Sequence, residues 1–148
     1  MVEVRLARRA DAPLVAALRA AWTVEVGGPA ADPTFADRLC AWWEAEQGRR
    51  LTWLAVDGGT PVGMVNLAVF ERMPRPGQPP SRWGYLGNAY VPAGRRSQGI
   101  GTALLQALLA HARAEGFVRI VLSPSERSLP FYRRAGFEPG TSLLVLTL

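Results

Sequence analysis

The stretch from Tyr85 to Ser123 constrains this chain most: "YLGNAYV" reads as a strand, residues 100 to 115 as a helix, and "FVRIVLS" as a second strand. Ile100, Leu104, Leu105, Leu108, Leu109 and Ala112 form the helix's apolar stripe, and Gly116 is placed to end it. Strands separated by a helix cannot be joined by a hairpin. The unit must therefore close as a parallel pair with a right-handed crossover.

The segments around this unit have a different character. "VEVRLA" alternates apolar and charged side chains, as a half-buried opening strand does. Asp11 is placed to cap a helix with Pro13 in its first turn and Leu14, Val15, Leu18, Ala21 and Trp22 on its apolar face. After the break "EVGGPAADP", a second helix is predicted from Thr34, carried by Phe35, Leu39, Trp42 and Trp43 and stopped by Gly48. From residue 51 the period shortens to that of strands, and "LTWLAVDGGTPVGMVNLAVF" reads as a hairpin about Asp57-Gly58-Gly59. The four prolines of "ERMPRPGQPPSRWG" predict a surface loop. Past Ser123, a brief helix from Leu129 to Ala135 takes Pro130 in its first turn and ends at Gly136, and "SLLVLTL" is predicted as a closing strand. The expected fold is α/β: a mixed, mostly antiparallel central sheet with one parallel βαβ pair and helices on both faces. A chain of 148 residues with 49% hydrophobic content can bury one core, so a single domain over 1–148 is expected.

Composition narrows the function classes. Cys40 is the only cysteine and His111 the only histidine, which excludes an intramolecular disulfide and a zinc cluster and fits a metal-free protein of the reducing cytoplasm. Charges at Glu3, Arg5, Arg8, Arg9 and Asp11 leave no signal-peptide core or spanning segment near the N-terminus, so no membrane partner is expected. The net charge is +5, and all 17 basic residues are arginine. A positive field suggests an anionic partner, either nucleic acid or a small phosphorylated ligand. The arginines scatter in pairs (Arg8/Arg9, Arg49/Arg50, Arg95/Arg96, Arg133/Arg134) instead of lining one helix, which favours the small ligand over nucleic acid.

The junction "RRSQGIGTALL" carries the most specific signal. A turn feeding a helix leaves backbone N–H groups without intrahelical partners, and with the helix dipole they form an anion site. Gly99 and Gly101 have no β-carbon to hold a pyrophosphate off those amides, and Arg95 and Arg96 add charge. A plain packing turn is the competing reading. A dinucleotide fingerprint does not fit, because residue 104 is leucine, and no Gly-Lys-Ser/Thr follows for a P-loop.

Taken together, these residues resemble the Gcn5-related N-acetyltransferases (GNAT). "RSQGIG" matches that family's Arg/Gln-x-x-Gly-x-Gly/Ala phosphate loop, "NAYV" resembles its fourth strand and "TALL" the start of its third helix. "FYRRAGFEP" is similar to its Phe-Tyr-x-x-x-Gly-Phe signature, and "VEVRLARRADAPLVAAL" to its opening strand and helix. The likeness spans nearly the whole chain. It implies acetyl-CoA as acyl donor, lying where the fourth and fifth strands splay, with phosphate contacts from Arg96, Ser97, Gln98, Gly99, Ile100, Gly101 and Thr102. Tyr90 and Val91 would pair with the pantetheine arm through their backbone. Ser125 stands where the family often has an asparagine on that arm, and Ser128 where it often has alanine.

The implied reaction is direct acetyl transfer to a primary amine of a small molecule or peptide. Tyr132 is the implied acid for the departing thiolate, a role a phenol with pKa near 10 can fill. "YLGNAYV" contains no carboxylate, so the base stays open among Glu25, Glu71, Glu126 and an ordered water, with His111 read as an ordinary half-exposed histidine of the helix. Cys40 is expected to be structural. Substrate contacts are expected from the 23–33 loop, the 72–82 loop and a last hairpin near Gly140. Trp22, Trp42, Trp43, Trp53 and Trp83 are candidate walls of an apolar acceptor pocket. A homodimer is left open, since dimers are common in the family. Two alternatives stand beside the enzyme: a non-catalytic acyl-CoA sensor, favoured by the missing strand carboxylate, and a basic nucleic-acid-binding domain.

Overall fold

The computed structural model describes residues 1–140 and 142–148. Strand β1 (Val2–Leu6) leads into helix α1 (Ala12–Glu25) and then α2 (Phe35–Ala45). A hairpin of β2 (Arg50–Asp57) and β3 (Thr60–Glu71) follows, then β4 (Arg82–Tyr90), α3 (Ile100–Ala114), β5 (Ile120–Val121) and α4 (Leu129–Arg134). The sheet runs in the order β1-β2-β3-β4-β5, antiparallel throughout except for the parallel β4–β5 pair, as the strand-helix-strand unit requires.

The period-two alternation of the central strands builds two cores, one on each face. Trp53, Ala55, Val65 and Leu67 point to α3, meeting Ile100, Leu104, Leu105 and Leu108. Their neighbours Leu54 and Met64 point the other way, onto Val15 and Leu18 of α1 and Leu39 and Trp43 of α2. Gly63 lets α3 approach β3 closely, because a β-carbon there would stand 2.9 Å from Leu104 Cδ1 and 3.0 Å from Ile100 Cγ2. This sets the first turn of α3 directly against the sheet.

One irregularity matters for everything that follows. Between the pairs Asn66↔Gly87 and Met64↔Tyr90, β4 has one residue more than β3, so Asn88 and Ala89 form a bulge, with Asn88 in the left-handed region at φ 49°. Leu86 and Tyr90 are four residues apart and would share a face of a regular strand. The extra residue puts Leu86 in the α3 core and Tyr90 in the α1/α2 core.

Three sequence expectations need correction. Asp11 precedes α1 but does not cap it: its carboxylate accepts hydrogen bonds from Arg5 Nη1 at 2.7 Å, Arg5 Nη2 at 3.0 Å and the Arg8 N–H at 2.6 Å, tying β1 to the turn before the helix. The "FVRIVLS" strand pairs with β4 only at Gly84↔Ile120 and Tyr85↔Val121, because α4 brings Phe131 and Tyr132 into the gap beyond. Residues 142–148 form no strand, so neither "SLLVLTL" nor a hairpin near Gly140 is present among the described residues. An isolated strand has no backbone partner, and Leu143, Leu144, Val145, Leu146 and Leu148 are all exposed.

Candidate functional site

The cleft opens where β4 and β5 stop pairing. Beyond the fork, where the Tyr85 hydroxyl donates to Ser123 Oγ at 3.2 Å, a cavity of about 420 Å³ runs between the end of β4 and α4. Ala89, Tyr90 and Val91 line one side, and Ser125, Ser128, Phe131 and Tyr132 the other. Ser125 and Ser128 bond to each other, Oγ to Oγ at 2.9 Å, which rigidifies the turn entering α4. The Tyr132 ring is wedged edge-on between Phe131 and Phe137, with centroids 5.1 and 5.7 Å away. Burial pushes its phenol above the ordinary tyrosine value, so the group holds its proton at neutral pH.

At the open end of the cleft, the N-terminus of α3 forms a second hollow of about 280 Å³, lined by Arg96, Ser97, Gly99, Ile100, Gly101 and Thr102 with Phe131 and Arg134 opposite. Gly99 occupies the cap position at φ 81° and Ser97 precedes it at φ 61°, so the loop coils tightly and presents its main chain. The Gln98 side chain alone turns back, donating toward the Gly94 carbonyl at 3.5 Å. Arg95 is tied through Nη2 to Asp57 at 2.8 Å, yet its Nε is buried without a hydrogen-bond partner among the described residues. An orphaned cationic donor beside a glycine-capped helix end suits a diphosphate.

The two hollows meet at a three-residue network. Tyr90 donates its hydroxyl proton to Glu25 Oε2 at 2.7 Å, and Arg96 donates through Nη2 to Glu25 Oε1 and through Nε to the Val91 carbonyl at 2.9 Å. Burial, and then the Glu25 carboxylate, push the Tyr90 phenol up to about 12. The Tyr90 hydrogen bond, followed by that of Arg96, holds Glu25 below the usual carboxylate range. Of the open base candidates, Glu25 is the one hydrogen-bonded to residues of the cleft lining, Tyr90 and Arg96, although it lines no cavity itself. Glu71 lies on the far end of β3 opposite Arg82, Glu126 is exposed on its loop, and His111 packs edge-on to Trp53 and Phe117.

A third cavity, of about 330 Å³, lies on the other side of the bulge. Val15, Phe35, Leu39, Trp42 and Met64 give it apolar walls, and Arg19, Arg38, Asn66 and Asn88 its polar groups. Met64 lines this cavity and the first, and Asn88 of one adjoins Ala89 of the other, so the two abut across the bulge. The bulge is pinned from below: Thr52 Oγ1 donates to Asn66 Oδ1 at 2.5 Å, and Asn66 Nδ2 donates to the Asn88 carbonyl at 3.1 Å. Sequence reasoning passed over Thr52, Asn66 and Arg19. The signal for Asn66 was present, since an amide inside the apolar run "GMVNLAVF" must find partners when buried.

Of the five tryptophans, Trp42 lines the third cavity and Trp22 the first, where it stacks on Tyr90 with centroids 5.5 Å apart. Trp43 and Trp53 are core, and Trp83 stacks on Phe70. No residue of the 23–33 loop, the 72–82 loop or the Gly140 region lines the first or third cavity: Glu25 meets the first only through its bonds to Tyr90 and Arg96, and Phe35, Arg38, Leu39 and Trp42 of α2 wall the third. Cys40 is an exposed free thiol on α2. Among the described residues no group of His, Cys, Asp and Glu is placed to hold a metal, and no helix is long and apolar enough to cross a membrane.

Comparison with known proteins gives a consistent picture. Residues 14–137 match the family described as Acetyltransferase (GNAT) family. A glucosamine 6-phosphate N-acetyltransferase of Trypanosoma brucei brucei is 33% identical over 79 residues, 53% of this chain and 52% of that protein, so the match spans about half the relative's length. A GCN5-related N-acetyltransferase of Ralstonia eutropha JMP134 superposes with a TM-score of 0.74 at 30% identity, covering 99% of both chains. A predicted acetyltransferase with acetyl-CoA from Clostridium acetobutylicum gives a TM-score of 0.80 at 22% identity, covering 99% of this chain and 96% of that one.

Proposed function

The chain belongs to the acetyltransferase (GNAT) family, and from that premise we propose that residues 1–148 act as one domain that transfers the acetyl group of acetyl-CoA to a primary amine of a small molecule or peptide. The observation that carries this reading is the continuity of the cleft: a glycine-capped helix end with an orphaned arginine donor opens into a channel ending at a buried, protonated tyrosine. The Clostridium acetobutylicum neighbour, described as with acetyl-CoA, supports the choice of donor.

Acetyl-CoA, when bound, supplies the acyl group as a thioester. Main-chain amides from Gln98 to Thr102, with Arg95 and Arg96, would hold its diphosphate, and the backbone at Tyr90 and Val91 would flank the pantetheine arm, with Ser125 across from it. Asn66 fixes the Asn88 carbonyl and so orients the main chain at Ala89, the segment nearest the junction of the cavities. The proton that an incoming ammonium must lose passes to water, and Glu25, bonded to Tyr90 and Arg96 of the cleft lining, is the carboxylate that would receive it from that water. The C–N bond forms first; as the C–S bond then breaks, Tyr132 gives its hydroxyl proton to the sulfur, and the second proton, shed by the new amide nitrogen, returns through solvent to the phenolate. The third cavity receives the acceptor. Glu25, carried by α1, supplies the carboxylate that "YLGNAYV" lacks, which favours the enzyme over the sensor.

Release of free thiol from acetyl-CoA across a panel of amines tests the reading. Turnover on at least one amine, reduced by Tyr132→Phe, supports it. Tight binding of acetyl-CoA with no turnover on any amine would establish the sensor instead. The same reading places the protein in the cytoplasm, in keeping with its lone free cysteine. A homodimer, left open by the family likeness, would give the exposed Leu143, Leu144, Val145, Leu146 and Leu148 the cover they lack in a single chain.

A further inference from the structure

The acceptor cavity has an unbalanced charge. Two guanidiniums, of Arg19 and Arg38, stand among its lining residues, and no carboxylate does. Arg38 is neutralised from outside, bonding to Asp32 Oδ2 at 2.5 Å and to Thr34 Oγ1 at 3.1 Å. Arg19 is different: among the described residues it makes no ion pair, and its guanidinium lies over the Trp22 ring, 4.5 Å from the centroid. Trp22 is itself fixed by stacking on Tyr90, so this cation sits on a rigid aromatic platform at the boundary between donor and acceptor cavities. Stacking leaves the edge of the guanidinium, with its N–H fork, free to meet an anion. The remaining walls, Val15, Phe35, Leu39, Trp42 and Met64, suit an apolar body about the size of one ring.

We propose that the acceptor is an anionic amine: a primary amine on an apolar, ring-sized body that also carries a carboxylate or phosphate, with Arg19 as the residue that selects it. This rests on the third cavity being the acceptor site of the transferase reading above. A polycationic amine would meet Arg19 with like charge in a cavity that offers no carboxylate, and is disfavoured.

The test uses four ligands on one scaffold: 4-(aminomethyl)benzoate, 4-(aminomethyl)phenyl phosphate, the neutral 4-(aminomethyl)benzamide and the dicationic p-xylylenediamine. Binding of each to the full-length protein is measured by calorimetry without acetyl donor, and thiol release is measured separately with acetyl-CoA. One or both anionic ligands are expected to bind about ten- to hundredfold more tightly than the benzamide, the range for a charge-assisted pair. Arg19→Leu should erase that preference, Arg19→Lys should restore part of it, and neither should change the affinity for acetyl-CoA. The proposal is overturned if the benzamide or the diamine binds as well as the anions, or if Arg19→Leu keeps the preference. Comparing the benzoate with the phosphate identifies which anion is used. Selective anion binding with no thiol release would keep Arg19 as the residue that selects an anion for this cavity and would count against the transferase reading, and with it against the ligand's role as acceptor.

Discussion

Replacing Asn66 with leucine should uncouple the stability of this fold from its activity. Asn66 is 3% exposed and Thr52 4%, so the bond between them is made away from water. Leucine of similar size leaves the Thr52 hydroxyl buried without its acceptor and the Asn88 carbonyl without its donor. An unsatisfied buried group costs about 1–3 kcal/mol. Asn88 is exposed and can turn its carbonyl to solvent, so the Thr52 hydroxyl dominates and the loss should be about 2 kcal/mol. Adding Thr52→Val removes that hydroxyl, and the double variant should regain most of the lost stability. Nothing in the double variant holds the Asn88 carbonyl, so the bulge that orients Ala89 and flips Tyr90 remains loose. Urea denaturation and acetyl-transfer kinetics on the four proteins of the cycle provide the assay. The predicted pattern is recovered stability with kcat still reduced about tenfold or more, as expected when a positioned group shifts. Recovery of kcat in step with stability, or an Asn66→Leu single variant with full activity, would refute the argument that this amide positions the reacting segment.

Three further outcomes follow from other parts of the molecule. Tyr132→Phe should lower kcat by roughly 10²- to 10⁴-fold with little change in the KM for acetyl-CoA, and the wild-type rate should persist to alkaline pH because burial raises that phenol; an unchanged kcat would remove the tyrosine from the mechanism. Asp11 has its pKa lowered, first by the Arg5 hydrogen bond, so its contribution to stability is complete above the unfolded-state value near 4 and disappears as pH falls through the lower folded value. Asp11→Asn should therefore lose about 1–3 kcal/mol at pH 7 and show a flatter acid limb in melts taken across pH. Deleting residues 142–148 should convert a dimer to a monomer in light scattering behind gel filtration; a full-length monomer would contradict the dimer.

Much of the architecture is legible because it depends on local period. The stripe from Ile100 to Ala112 marks one face of α3 for the core, and the run Trp53, Leu54 and Ala55, apolar at every position, marks a strand buried on both faces without telling which side chain meets which helix. The phosphate-loop residues were legible for a similar reason, since glycines before a helix carry their conformational demand with them. The remainder depends on pairing between distant segments. The bulge at Asn88 exists only relative to β3, so "YLGNAYV" cannot reveal that Tyr90 changes face. Glu25 reaches Tyr90 across 65 positions of sequence, and only the packing of α1 against the sheet end brings them together. The "SLLVLTL" segment has the composition of a strand but no neighbour to pair with, and a strand is defined by its partner as much as by its residues.

The central claim, that the α3 N-terminus grips the diphosphate of acetyl-CoA, is tested most directly by calorimetric titration of acetyl-CoA into the wild type and Gly99→Asp. A β-carbon at Gly99 meets nothing within 4 Å, and aspartate tolerates left-handed backbone better than most residues, so the variant should stay folded. Its carboxylate would stand close to the phosphate charges, a repulsion of about 3–4 kcal/mol at a surface-like dielectric. Saturable binding by the wild type, weakened more than about a hundredfold in the folded variant, is the predicted result. Equal affinity in the two proteins, or no binding by the wild type, would contradict the account.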